Sequence, residues 1–153
     1  MIEISAATPE HIPAVRERFN EYAGWLKVDL CFQGFARELA SLPGDYVPPT
    51  GQLLVALNQN TVVGCVAVRK LTVRDCEMKR LYVVPAFRGQ GIARRLAERI
   101  VAEAKELGYG RMCLDTLETM TSARALYASL GFQAISAYYH NPIPGTTYLA
   151  KTL

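Results

Sequence analysis

The chain has 153 residues, half of them apolar, 9% aromatic and 20% charged, with a net charge of +3. Its length fits one domain of roughly 150 residues, and area scaling predicts about 7,700 Å² exposed when folded, enough burial for a core without disulfide or metal staples. This composition excludes a disordered or collagen-like chain, and no apolar run approaches the roughly 20 residues that span a bilayer.

The N-terminus, Met1 to Ser5, has neither the basic region nor the apolar region of a signal peptide, so a cytoplasmic setting without membrane attachment is expected. Lys and Arg alternate with Glu along most of the chain, which argues against a whole-surface nucleic-acid footprint. Positive charge does crowd between Lys79 and Arg99, as a local anionic ligand would require. The four cysteines (Cys31, Cys65, Cys76, Cys113) are scattered. Three of them sit in apolar strand-like runs, where free Cys behaves as a small buried hydrophobe, and no metal site is expected.

In chain order, Ile2 to Ala6 reads as a strand. Thr8-Pro9-Glu10 then starts a helix with a Thr cap, Pro in the first turn and an acid beside it. Ile12, Val15, Phe19, Tyr22 and Ala23 carry that helix to about Gly24. Residues 25–34 look irregular, Phe35 to Leu42 helical, and Pro43-Gly44 ends that helix. The prolines of Tyr46 to Gly51 restrict that stretch to a loop. Leu53 to Leu57 and Val62 to Leu71 are strands joined by a hairpin at Asn58-Gln59-Asn60, and Cys76 to Val84 is a third strand in this block.

From Gln90 the period becomes helical, with Ile92, Leu96, Ile100 and Ala104 on one face and Gly108 as the stop. Arg111 to Leu117 is a strand, Thr121 to Leu130 a helix, and Phe132 to Tyr138 and Thr146 to Leu153 the last strands. Hairpins give antiparallel neighbours, and the strand–helix–strand unit in the middle needs a parallel crossover. The expected fold is therefore α/β: one mixed, mostly antiparallel sheet with helices on both faces.

Chemistry concentrates in residues 81–94. A strand through Leu81, Tyr82 and Val83 stops at Pro85, and the Gly-rich turn Arg88-Gly89-Gln90-Gly91 opens a helix at Ile92, Ala93 and Arg94. Such a turn aims several unpaired backbone N–H groups at one point, where the helix dipole also favours negative charge. Arg88 and Arg94 add charge, so a phosphate or pyrophosphate site is expected. The turn lacks the Gly-Lys-Ser/Thr ending of a P-loop, and Arg94 occupies the third glycine position of a dinucleotide fingerprint.

Arg88-Gly89-Gln90-Gly91-Ile92-Ala93 resembles the acetyl-CoA signature Q/R-x-x-G-x-G/A of the GNAT N-acetyltransferase superfamily, with Val83 and Pro85 in the usual V-x-P context. Ala123 to Phe132 is similar to its second motif, A-x-x-L-Y-x-x-L-G-F, and the element order agrees over essentially the whole chain. The chain departs from the family at Met120, where an Asn is frequent. The resemblance implies a GNAT-like acyl-CoA N-acyltransferase fold in which backbone groups of Leu81, Tyr82 and Val83 pair with the pantetheine arm. Residues Arg88 to Arg94 would hold the pyrophosphate of acetyl-CoA, the co-substrate, and no metal takes part.

Acetyl transfer to an amine needs a neutral nucleophile, oxyanion stabilisation and a proton for the departing thiolate. Glu77, eleven residues before Arg88, matches a family position for a catalytic Glu; the alternative is an ion pair with Lys79 or Arg111 on a solvated face. Asp115 matches another base position and could equally cap the following turn. Tyr127 matches the tyrosine that protonates the coenzyme A sulfur; packing beside Leu126 and Leu130 is the alternative. A backbone N–H near Leu81 or Val83 is the expected oxyanion donor.

The acceptor, a small-molecule or peptide amine, is expected to meet residues 25–51, with Trp25, Asp29, Phe32 and Tyr46, and the turn Tyr138 to Pro142. His140 reads as a surface residue, and no carboxylate cluster suggests a polyamine. Such proteins often form homodimers. A non-catalytic acyl-CoA sensor, or a nucleotide-binding protein of another class, are the alternatives to an enzyme.

Overall fold

Seven strands form one sheet: β1 (Ile2–Ala6), β2 (Gln52–Asn58), β3 (Thr61–Lys70), β4 (Asp75–Val83), β5 (Arg111–Thr116), β6 (Gln133–Ile135) and β7 (Thr147–Thr152), in the order β1-β2-β3-β4-β5-β7-β6. This computed structural model describes residues 1–153, the side chain of Phe32 excepted. Every neighbouring pair is antiparallel except β4 with β5, which run parallel because the helix between them carries the chain back across the sheet.

Alternation along the strands builds a core on each face. Leu53, Val55, Cys65 and Ala67 point to one side, where they meet Val15 and Phe19 of α1 (Ile12–Leu26) and the flank of α2 (Phe35–Ser41). Leu54, Ala56, Val66 and Val68 point to the other. There they meet Ile92, Leu96 and Ile100 of α3 (Ile92–Glu106) and Tyr127 of α4 (Thr121–Ser129). Each fully buried Leu or Ile contributes about 1.5–3 kcal/mol. The folded chain exposes 7959 Å², close to the area expected for its size. Cys65, Cys76 and Cys113 are buried within strands, and burial pushes the Cys65 and Cys76 thiols up to about 12.

Two elements differ from the sequence reading. The first helix begins as a 3-10 turn, Pro9–His11, because Pro13 has no N–H to donate to the Pro9 carbonyl; the Ile12 N–H donates there instead. The strand expected over Phe132 to Tyr138 stops at Ile135. Beyond it the chain leaves the sheet edge, and Tyr138 and Tyr139 turn inward to the carboxylates of Glu77 and Asp115.

The parallel pair positions the site. Only Asp75, Cys76 and Glu77 are in register with β5, opposite Arg111, Met112 and Cys113. From Met78 onward β4 has no partner on that side, and Leu114 to Thr116 have none on the β4 side. The two strands splay, and a gap opens between their C-terminal halves.

Candidate functional site

The gap leads into a cavity of about 410 Å³ whose walls include Leu81, Tyr82 and Val83 of β4, the turn after it, Met120 just before α4, and Ala123 and Leu126 of α4. Gly89 and Gly91 have φ of +80° and +78°, the left-handed backbone that makes glycine the favoured residue there. The first hydrogen bond into α3 runs from the Arg95 N–H to the Gly91 carbonyl at 3.1 Å. The N–H groups of Ile92, Ala93 and Arg94 therefore lead the helix without an intrahelical acceptor, at its positive end. Gly89, Gly91, Ile92, Ala93 and Arg94 all line the cavity, whereas Gln90 is exposed and does not.

Arg88 closes one side of this cavity. Its Nε donates to the Val83 carbonyl at 2.8 Å. Its guanidinium lies 5.0 Å from the Trp25 ring centroid and 5.4 Å from that of Tyr82. The Val84 N–H donates to Val63 on β3, so strand alternation turns the Val83 groups the other way, toward the splay. Among the crowded positive residues only Arg88 and Arg94 line this cavity. Arg95 and Arg99 instead donate to carbonyls of β1.

A narrower cleft, about 30 Å³, adjoins the cavity and shares Leu81 and Met120 with it. Tyr127, Asp115 and Lys79 all line this cleft. Tyr127 is buried and packs against Phe132 at 5.8 Å between centroids, and its hydroxyl makes no hydrogen bond among the described residues. Burial, reinforced by the nearby Tyr22 and Asp115, holds this phenol far above the usual range, so it is protonated at neutral pH and has a proton to give.

Asp115 Oδ2 accepts hydrogen bonds from the Tyr139 hydroxyl and from Asn141 Nδ2, while Oδ1 has no partner among the described residues. Glu77 lies elsewhere. It is 1% exposed, Oε1 accepts from Arg69 Nε at 2.9 Å, Oε2 accepts from the Tyr138 hydroxyl at 2.6 Å, and it lines neither cavity. Of the alternative for Glu77, the pairing with Lys79 holds at 3.9 Å, but the face is buried, Arg69 is the nearer partner, and Arg111 pairs with Asp75 instead.

Beside the cleft, β4 carries a bulge. Tyr82 pairs with Cys65 and Lys79 with Ala67, so Arg80 and Leu81 together face the single residue Val66. Arg80 has φ +62°, unusual for a side chain of its size. It is 4% exposed, and Glu38 of α2 grips its Nε and Nη2, each at 2.9 Å. Burial raises the Glu38 carboxyl, but the hydrogen bond and charge of Arg80 outweigh it and leave the group below its ordinary value.

The acetyltransferase (GNAT) family model matches residues 12–132. An N-acetyltransferase of Schizosaccharomyces pombe is 42% identical over 151 residues, covering 97% of this chain and 93% of the relative. The chain belongs to the GNAT acetyltransferase family. Human N-acetylaspartate synthetase is 34% identical over 112 residues, 72% of this chain and 37% of that protein. Among solved structures, a GNAT acetyltransferase of Staphylococcus aureus superposes with a TM-score of 0.83 at 19% identity, covering 99% of both chains. The PaiA N-acetyltransferase of Thermoplasma acidophilum, in complex with coenzyme A, gives 0.77 at 17% identity, covering 100% and 99%. The shared fold includes the mixed sheet with helices on both faces.

In this GNAT chain, Tyr127 and Asp115 come together in the cleft while Glu77 stays behind it. Trp25, expected on the acceptor side, is 44% exposed and lines the larger cavity. Tyr46 is buried in the core, edge-on to Phe19. Asp29 accepts from the Cys31 N–H, His140 is exposed, and the side chain of Phe32 lies outside the described residues. Lys79, Gln33 and Met120 also line the cleft, and the Tyr138 to Pro142 turn meets the 25–51 region as expected, through Gln33 and Tyr139. Met120 Sδ accepts from the Leu117 N–H, holding the turn that separates β5 from α4. No helix is long and apolar enough to cross a membrane. No group of three His, Cys, Asp or Glu could hold a metal among the described residues.

Proposed function

We propose that the protein is an N-acetyltransferase that moves the acetyl group of acetyl-CoA to a primary amine by direct attack. The observation that carries this reading is the splay of β4 from β5, which runs from an anion-binding helix start to a cleft holding a free tyrosine hydroxyl and a half-free carboxylate. The unpaired N–H groups of residues 92–94, with Arg88 and Arg94, suit a pyrophosphate. The edge of β4 facing the splay suits the amide-bearing pantetheine arm, which pairs as a further strand would. Arg88 releases or shares the Val83 carbonyl as the arm enters.

The acetyl group then lies near Leu81 and Met120, where the two cavities meet. As the acceptor nitrogen bonds to the carbonyl carbon, a backbone N–H of the bulged β4 edge stabilises the charge developing on oxygen. An ammonium acceptor first loses one proton through Asp115 to solvent, and the neutral amine, once bonded, gives a second proton to Asp115 Oδ1. The carbon–sulfur bond breaks, and Tyr127 donates its proton to the sulfur, whose thiol pKa is about 8.5. The proton held by Asp115 restores Tyr127, so the exchange balances. Glu77, fixed by Arg69 and Tyr138, positions the Tyr138 to Asn141 segment that in turn holds Asp115.

The relatives named for N-acetyl transfer support an amine acceptor. Thermal unfolding with acetyl-CoA, coenzyme A, NAD and ATP in parallel tests the reading. At 100 times its dissociation constant a ligand adds about 2.7 kcal/mol, or roughly 5–10 °C for a domain of this size. Shifts with both coenzyme A species and not with the others, followed by thiol release on adding an amine, are expected. Shifts with NAD or ATP alone refute the assignment.

A further inference from the structure

We propose that the acceptor is a small amino acid or closely related amino-carboxylic acid, its carboxylate held by Lys79 and its amine by Asp115. This rests on the acetyltransferase reading above and narrows its acceptor.

Lys79 and Asp115 line one cleft, and each lacks a satisfying partner of opposite charge. The Lys79 side chain is 5% exposed, and its nearest carboxylate oxygen, Glu77 Oε1, lies 3.9 Å away. That oxygen already accepts from Arg69 at 2.9 Å, and the other oxygen of Glu77 accepts from Tyr138. The only hydrogen bond Lys79 makes among the described residues is to Gln33 Oε1, at 3.1 Å. An ammonium has further N–H donors to place.

Asp115 is the mirror case. Its partners are the neutral donors of Tyr139 and Asn141, no cation lies within ion-pair distance among the described residues, and Oδ1 is open. The two charges do not pair with each other. Gln33 and Tyr139 stand between them, Gln33 Nε2 donating to the Tyr139 hydroxyl at 3.2 Å while its Oε1 receives Lys79. Keeping a desolvated ammonium short of partners costs stability, and burial has pushed Lys79 down to about 8, so at neutral pH most of it still carries charge.

A ligand bearing both charges satisfies both groups at once. The amine goes to Asp115, because it is the charge of Asp115, and not of Lys79, that acts on the Tyr127 phenol. The carboxylate then falls to Lys79. Arg80 next door contributes little, since Glu38 already neutralises it.

The test measures kcat/KM by thiol release for each of the common L-amino acids beside its own C-terminal amide, at saturating acetyl-CoA. The parent protein, Lys79→Met and Lys79→Arg are compared, with acetyl-CoA affinity determined by calorimetry for each. The best free acid is expected to exceed its amide by roughly tenfold to a hundredfold, the size of a charged hydrogen bond. Most of the difference should appear in KM. Lys79→Met should bring the ratio to near unity with acetyl-CoA affinity intact, and Lys79→Arg should restore part of it.

Amides acetylated as well as acids by the parent protein, or an undiminished ratio in Lys79→Met, overturn the proposal while leaving the acetyltransferase reading intact. The parent comparison decides even if a variant fails to fold. Acetyl-CoA binding with no release from any amine overturns both readings.

Discussion

Tyr127→Phe separates catalysis from folding more cleanly than any other change at this site. The ring stays, and with it the contact to Phe132 at 5.8 Å. The hydroxyl that leaves makes no hydrogen bond among the described residues, so no buried partner is stranded, and the stability change should stay within about 0.5 kcal/mol. That is about 1–2 °C in unfolding midpoint for a chain of this length. Turnover should respond very differently. General acids contribute roughly 10²–10⁴-fold, and a thiolate leaves more readily than an alkoxide, so a loss of about 10²-fold is expected. In free-energy terms this is about 2.7 kcal/mol of transition-state stabilisation. The assay is kcat from thiol release under saturating acetyl-CoA, beside calorimetric acetyl-CoA affinity and the unfolding midpoint. Unchanged kcat would remove Tyr127 as the acid. A midpoint lower by many degrees would show that the hydroxyl serves the fold instead.

Other perturbations probe the cavity and the charges around it. Arg88→Ala should weaken acetyl-CoA binding roughly tenfold or more, as loss of a charged hydrogen bond does, and spare the fold, because Arg88 is exposed; unchanged affinity by calorimetry would refute the pyrophosphate assignment. Glu38→Ala strands the Arg80 guanidinium, held by two 2.9 Å contacts. It should cost about 3 kcal/mol, or about 6–12 °C by thermal unfolding. Because the folded-state pKa of Glu38 is depressed, the stabilising contribution is present above the unfolded value of about 4.3 and is lost as pH falls. Midpoints followed from pH 6 downward should therefore converge between parent and Glu38→Gln.

Lys79 has the opposite consequence for stability. Its folded-state pKa, lowered to about 8 chiefly by burial, with Arg80 and Arg69 adding to the shift and Glu77 and Asp115 opposing it, lies below the unfolded value of about 10.4. The unfolded chain thus binds more protons in that window, so the Lys79 contribution to stability should rise with pH between those values. Lys79→Met should remove this slope and raise the midpoint at pH 7, where the buried charge is a burden on the parent. Any preference for a carboxylate-bearing acceptor should fade above pH 8 as Lys79 loses its proton.

Much of this protein was legible residue by residue. Leu53, Val55 and Leu57 alternating with Leu54 and Ala56 dictate a strand buried on both faces, and Ile92, Leu96 and Ile100 dictate the helix that covers one of them. Gly89 and Gly91, which take positive φ, and the helix start behind them make a glycine-rich turn readable from six consecutive residues. Tyr127 was visible through the motif that carries it. These features depend on backbone preference and periodicity, which act over a few positions.

The tertiary structure alone decided which charges meet. Glu77 and Asp115 look alike in sequence, yet Tyr138, 61 residues away, seals one, and the other is left open to the cleft. Lys79 depends on Gln33 across 46 residues, and Arg80 on Glu38 across 42. The short register between β4 and β5, which opens the gap itself, is set by how a helix and two strands pack together. An ionisable side chain takes its partners, burial and proton affinity from neighbours brought together by folding, so its chemistry is a property of the assembled site.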